Sequence, residues 1–284
     1  MFPTPIRTRS ATVQTSYRVG LWVALVLWLL PLIAVMATSV RSLEDITTGN
    51  YWGWPTDFLL IENFTEVFTR TPMGLYLINS VVITVPTVIG AVGLATMAGF
   101  ALALYRFHGN IVLFAMFIAG NFIPFQILMI PVRNLTISLG MYDTVYALIL
   151  FHIAFQSGFC TLFMRNFIKA LPYQLIEAAR IEGANEFQLF WYVVLPLVRP
   201  ALAALAVLVF TFIWNDYFWA LALVTSDSAK PITLGLQSLR GDQWVGSWHL
   251  ISAGSIVAAL PPVAMFFLMQ RHFIAGLTLG GVKG

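Results

Sequence analysis

The chain has 284 residues, of which 59% are apolar and only 10% charged. Water-soluble domains carry about 25% charged residues, so this composition excludes a soluble globular protein and points to an all-α integral membrane protein. The net charge of +3 is no sign of nucleic-acid binding, because a cationic excess in a membrane protein usually orients the chain in the bilayer. A single cysteine, Cys160, excludes an intrachain disulfide.

The amino end is basic (Arg7, Arg9, Arg18), and residues 1–16 read as a tail. The apolar run from Val19 to about Val40 exceeds the 7–15-residue core typical of a cleaved signal. It meets the roughly 20 residues that a bilayer crossing takes, so an uncleaved first span is expected. Residues 41–72 read as a polar loop with Glu44, Asp45, Asp57, Glu62 and Glu66, and with Trp52 and Trp54 suited to the membrane surface. A second span is predicted from Met73 to Leu104. Its small residues Ala91, Ala95, Gly99 and Ala103 recur every four positions, a stripe that lets two helices approach closely in lipid. After the basic turn Tyr105–Gly109, a third span is expected over 111–131, broken by Pro124 and Pro131, and a fourth over 143–165, inside which His152 packs.

A charged loop occupies 166–197. Pro172 suits the first position of a short helix, and Gly183 permits the backbone conformation that ends one. Asn185 with Gln188 reads as a capping box opening a second helix. Phe187, Phe190, Trp191 and Val194 fall at i, i+3, i+4 and i+7, so one face is predicted to be continuously apolar and in need of a partner. A fifth span follows over 200–224, then a turn-forming loop over 225–249 with Lys230-Pro231 and Gly241–Trp244, and a sixth span over 250–270. The membrane domain thus covers 17–271 and a tail 272–284. Glycines at 276, 280, 281 and 284 predict that tail to be extended, since each costs about 1 kcal/mol against alanine inside a helix. Ten lysines and arginines fall on the side of loop 166–197 and both termini, five on the other. That bias predicts a cytoplasmic loop and cytoplasmic ends.

The pattern Glu177-Ala178-Ala179, then Gly183, then Leu195-Pro196 resembles the EAA loop of bacterial ABC importer permeases. Asn79-Ser80 through Phe107, Trp214-Asn215-Asp216 and the ending Ala275–Gly284 resemble the carbohydrate-importing members, of the type of the maltose permease's smaller subunit. The resemblance covers residues 17 onward; Glu182 stands where many relatives have Asp. It implies a six-helix type I permease fold in a bacterial inner membrane. Loop 166–197, with Phe187 on its face, becomes a coupling helix seated in an ATP-hydrolysing subunit. The implied partners are a second permease, two ATP-binding subunits holding ATP and Mg, an extracytoplasmic solute-binding protein and a sugar or sugar derivative. It further implies that loop 225–249 reaches the binding protein and that Gly280, Gly281 and Lys283 insert at the ATPase interface.

Enzymatic readings find little support. The four histidines are scattered without metal-ligand spacing, and no phosphate loop is present, so no cofactor or metal is expected on this chain. Asn215, Asp216 and Tyr217 sit within the fifth span. An ionisable residue there is a functional candidate, so these three and Phe122 are candidate pathway residues; an aromatic belt with Asp216 reaching the headgroups is the competing reading. A proton-coupled secondary transporter and a membrane-embedded enzyme are the alternatives from other classes.

Overall fold

The computed structural model describes residues 10–240 and 247–281, with side chains through Gln270. Among the described residues the regular structure is helical: α1 (Ala11–Ser39), α2 (Leu43–Thr47), α3 (Leu60–Arg70), α4 (Met73–Leu104), α5 (Asn110–Gly120), α6 (Met129–Ser138), α7 (Val145–Lys169) and α8 (Tyr173–Ile181), followed by α9 (Glu186–Leu197), α10 (Arg199–Trp214), α11 (Phe218–Leu223), α12 (Ile232–Gly235) and α13 (Trp248–Gly281). Four helices, α1, α4, α7 and α13, are long and apolar enough to cross a membrane. The count reaches six if the bent pairs α5–α6 and α9–α10 are each one span.

The chain divides into two compact units, one of residues 1–71 with 238–257 and one of 72–237 with 258–284. In the first, no residue in the apolar body of α1 is buried. Residues 41–72, expected as a loop, are largely structured. Ser42 caps α2 by accepting from the Asp45 amide. Asp45, nearly fully buried, accepts the amide and hydroxyl hydrogens of Thr56 and the side-chain amide of Asn50. Arg41, also buried, stands 3.8 Å from Asp45 and donates to the Gly53 carbonyl. A polar sequence can fold here because the buried Asp45 carboxylate meets several donors, which offsets its desolvation, although Nε and Nη1 of Arg41 are buried without a hydrogen-bond partner.

In the second unit α4 packs along α7. The small stripe lies in this contact: Ala91, Ala95 and Gly99 are buried, and a Cβ on Gly99 would lie 2.8 Å from the Arg165 amide nitrogen. The bounds of α4 match the predicted second span. The third span is not one rod: it bends by 90° at residues 121–124, between α5 and a second arm that begins with a 3₁₀ turn at Phe125–Leu128 and continues as α6. Pro124 opens that turn, while Pro131 sits in the first turn of α6, where its missing N–H breaks no intrahelical bond. The fifth span also departs from expectation. α10 stops at Trp214 after 16 residues, about 24 Å, and Asn215–Tyr217 form a non-helical break before α11.

Loop 225–249 is more anchored than its composition suggests. Asp143 accepts the Thr225 and Ser226 amides at 2.7 and 2.8 Å, and also the Ser226 hydroxyl. Asn79 donates to the Ser228 and Lys230 carbonyls, and Ala229, Ile232 and Leu234 are buried. Gly241–Trp244 lie outside the described residues, as do Arg7, Arg9 and Lys283. The tail is not extended: α13 continues to Gly281. Only Gly276 is interior to that stretch. Gly280 and Gly281 fall in the last turn, where glycine is a common helix end, so the summed penalty is smaller than the count of glycines implies.

Candidate functional site

Two constellations on the second unit carry chemistry. The first is the α8–α9 hairpin. At Gly183 the backbone is left-handed, with φ +86°. The Gly183 amide bonds to the Arg180 carbonyl at 3.1 Å and the Ala184 amide to the Ala179 carbonyl at 3.0 Å, which is the Schellman pairing that satisfies carbonyls at a helix end. Asn185 and Gln188 then exchange both bonds of the expected capping box, at 2.9 and 3.0 Å.

The expected single apolar face is corrected by the structure. Leu189–Val194 form a π-helical turn, in which residues five apart align rather than three or four. Leu189 and Val194 are accordingly both fully buried and Phe190 nearly so, packed with Phe100, Met164, Ile168 and Ile176. Phe190 meets the Phe100 ring edge-on at 5.2 Å. Phe187 and Trp191 stay outside, 69% and 46% exposed, beside exposed Ile181 and Tyr192. Glu177, Ala178 and Gly183 are likewise exposed, while Ala179, Leu195 and Pro196 are half-buried. Rather than presenting one apolar stripe, the element divides it between its own bundle and the outside.

A charged cluster missing from the sequence reading ties this hairpin to the end of α4. Glu186 accepts from the Tyr105 hydroxyl and pairs with the Arg180 guanidinium at 3.2 Å, and the guanidinium stands 5.8 Å over the Tyr105 ring. Burial and the neighbouring Glu186 carboxylate push the Tyr105 phenol up to about 12. For Glu186, burial acts to raise the pKa, but hydrogen bonds from Tyr105 and Arg180 outweigh it and lower the value. The spacing of residues 105, 180 and 186 carries no local signal that could have revealed their meeting.

The second constellation surrounds the break after α10. Asp216 accepts the Trp219 and Ala220 amides at 3.2 and 3.1 Å, satisfying otherwise unpaired donors at the start of α11. Its Oδ2 lies 3.3 Å from Nε2 of buried His152 on α7, and its carbonyl accepts from Thr233. The Asp216 carboxylate is thus engaged internally, by α7 and the start of α11. Asn215, Asp216 and Tyr217 line one cavity of about 990 Å³ together with His152, Gln156, Asn121 and an aromatic wall that includes Phe125, Phe155, Phe159 and Trp219. His152 Nδ1 and Gln156 Nε2 are buried there without a hydrogen-bond partner. Phe122 is 80% exposed and does not line the cavity; it lies in the break between α5 and the turn that opens at Pro124. No group of three or more metal-ligating side chains occurs among the described residues.

The fold has solved counterparts. The chain superposes on a subunit of a bacterial ABC transporter involved in import of the acidic polysaccharide alginate with a TM-score of 0.78 at 24% identity, covering 95% of this chain and all of that one. Among sequence relatives, the arabinooligosaccharides transport system permease protein AraQ of Halalkalibacterium halodurans is 36% identical over 89% of this chain and 91% of its own. The osmoprotective compounds uptake permease protein GgtD of Synechocystis is 34% identical over 90% and 88%. A probable ABC transporter permease protein of Pyrococcus horikoshii is 33% identical over 90% and 93%. Residues 68–278 match the family model of the binding-protein-dependent transport system inner membrane component, a span that takes in α4, the hairpin and the broken helix. The chain belongs to that family.

Proposed function

We propose that this chain is one of two permease subunits of an ATP-driven importer that passes a sugar or sugar derivative from a solute-binding protein to the cytoplasm by alternating access. One observation carries the reading. The α8–α9 hairpin is fixed to the bundle by Phe190, Val194 and the Tyr105–Glu186–Arg180 cluster, yet leaves Glu177, Ile181, Phe187 and Trp191 outward for a partner. A rigid element of this kind can convey a push from an ATPase subunit into the spans. ATP and Mg belong to those subunits, and this chain holds no cofactor. Both termini and the hairpin are cytoplasmic, and the end of α13, with Gly280 and Gly281 in its last turn and Lys283 after it in the chain, meets the ATPase interface. Asn215, Asp216 and Tyr217 line this chain's part of the membrane path. The sugar class is supported by relatives such as AraQ.

The test is reconstitution with the second permease, the ATPase and the binding protein. Hydrolysis stimulated by loaded binding protein is expected; uptake by this chain alone on a proton gradient would overturn the reading. In the same complex Asp216→Ala should lower transport while the ATPase remains bound, because the carboxylate holds α11 and His152 at the cavity. Unchanged uptake would remove Asp216 from the path.

A further inference from the structure

The helix α3 has an apolar surface larger than its own unit covers. Asn63 and Val67 face inward and are buried. Leu60, Ile61 and Phe68 are exposed by 43%, 76% and 47%, with half-buried Phe64 between them. On a 3.6-residue turn, positions 60, 61, 64 and 68 share one side, bordered by Thr65 and Thr69 along the same groove, while Glu62, Glu66 and Arg70 fall opposite. Beside this helix Trp52 and Trp54 are 68% and 94% exposed.

The height of α3 relative to the bilayer is set by hydrogen bonds. The Asn63 side-chain amide donates to the Ser39 and Arg41 carbonyls, both at 2.9 Å, and the Leu59 amide donates to the Val40 carbonyl at 2.8 Å. Those carbonyls belong to the end of α1, where a span with no buried residue in its apolar body leaves the lipid. The start of α3 is thereby pinned at the membrane boundary, and the chain begins its next span at Met73, three residues past Arg70. An 11-residue helix held there, with one apolar and one polar side, has the composition of a segment that lies in the interface plane. Exposed tryptophans are the side chains that favour that depth. The polar side of α3 carries two glutamates against Arg70, so attachment rests on apolar insertion rather than attraction to anionic headgroups.

We propose that α3, flanked by Trp52 and Trp54, lies in the headgroup–acyl boundary where α1 ends, with Leu60, Ile61, Phe64 and Phe68 inserted into lipid. The proposal requires only that α1 spans the membrane, and stands apart from the transported solute. Its test is nitroxide labelling of the full-length chain in the assembled transporter, in phosphatidylethanolamine–phosphatidylcholine vesicles with buried Cys160 replaced by serine. Ile61→Cys and Phe68→Cys sample the apolar side, Glu62→Cys and Arg70→Cys the polar side; all four positions are exposed, so folding is retained. Labels at 61 and 68 should relax severalfold more with oxygen, which partitions into lipid, than with a water-soluble nickel chelate, and labels at 62 and 70 should show the reverse. Equal chelate access at all four would overturn the proposal in favour of a solvated helix. Shielding of 61 and 68 from both reagents would overturn it in favour of a protein partner. Loss of ATP-driven transport with the oxygen pattern intact would count against the importer reading and not against this one.

Discussion

Substituting Gly183 isolates the backbone's contribution to the α8–α9 hairpin. Its φ is +86°, and a Cβ built there meets nothing within 4 Å. Any cost is therefore conformational rather than steric crowding by neighbours. Left-handed backbone costs an L-residue about 1–2 kcal/mol, with β-branched residues the worst accommodated. A penalty of that size shifts a two-state population by about 5- to 30-fold, enough to loosen the Schellman pairing while the spans still insert. In the reconstituted complex, Gly183→Val should lower solute transported per ATP hydrolysed, and Gly183→Ala should do so less. Gly183→Asn should stay near wild type, because asparagine tolerates this conformation. Wild-type coupling in the valine variant would refute the argument. So would an asparagine variant as poor as valine, since that would point to bulk against a partner rather than to φ.

Two further outcomes follow from packing and charge. Gly99→Ala would place a methyl 2.8 Å from a backbone nitrogen of α7; overpacking of this kind costs about 1–3 kcal/mol and should lower the thermal midpoint in detergent. Gly93→Ala, where the new methyl meets nothing within 4 Å, should leave that midpoint unchanged or raised. For Asp143, burial acts to raise the pKa, but hydrogen bonds from Ser226 and Thr225 prevail and hold it at about 2, below the ordinary 3.8. Its contribution to stability is therefore complete above pH 3.8 and is lost as pH falls through 2. Amide protection over 225–230, corrected for the intrinsic pH dependence of exchange, should fall across that acid window in the wild type. In Asp143→Asn it should already be lower at neutral pH and no longer depend on this titration.

The sequence was legible wherever a local rule sets the backbone. Met73–Leu104 follows from an uninterrupted apolar run, and the hairpin follows from Gly183 and the Asn185–Gln188 exchange, which involve only near neighbours. The small-residue stripe likewise foretold the close α4–α7 approach. The break at Asn215–Tyr217 was hidden because it contains neither glycine nor proline; it is held by His152 and Thr233, partners far away in the chain. The knot at 41–58 was read as loop because its glutamates and aspartates suggest solvent, whereas Asp45 is consumed by internal bonds. The phase of the hairpin's apolar residues was misread because a 3.6-residue period was applied across a π turn.

That π turn makes the hairpin's azimuth a matter of chain length. An α-helix through 189–194 would keep Phe187 and Glu186 in one phase with α10, whereas the wide turn advances everything before it by about one residue of rotation. Side-chain replacement within 189–194 leaves that offset in place. A one-residue deletion cancels it, swinging Glu186 away from Tyr105 and rotating the outward Phe187–Trp191 edge. In this segment, then, insertions and deletions rather than substitutions are the changes that re-aim the hairpin toward a different partner surface.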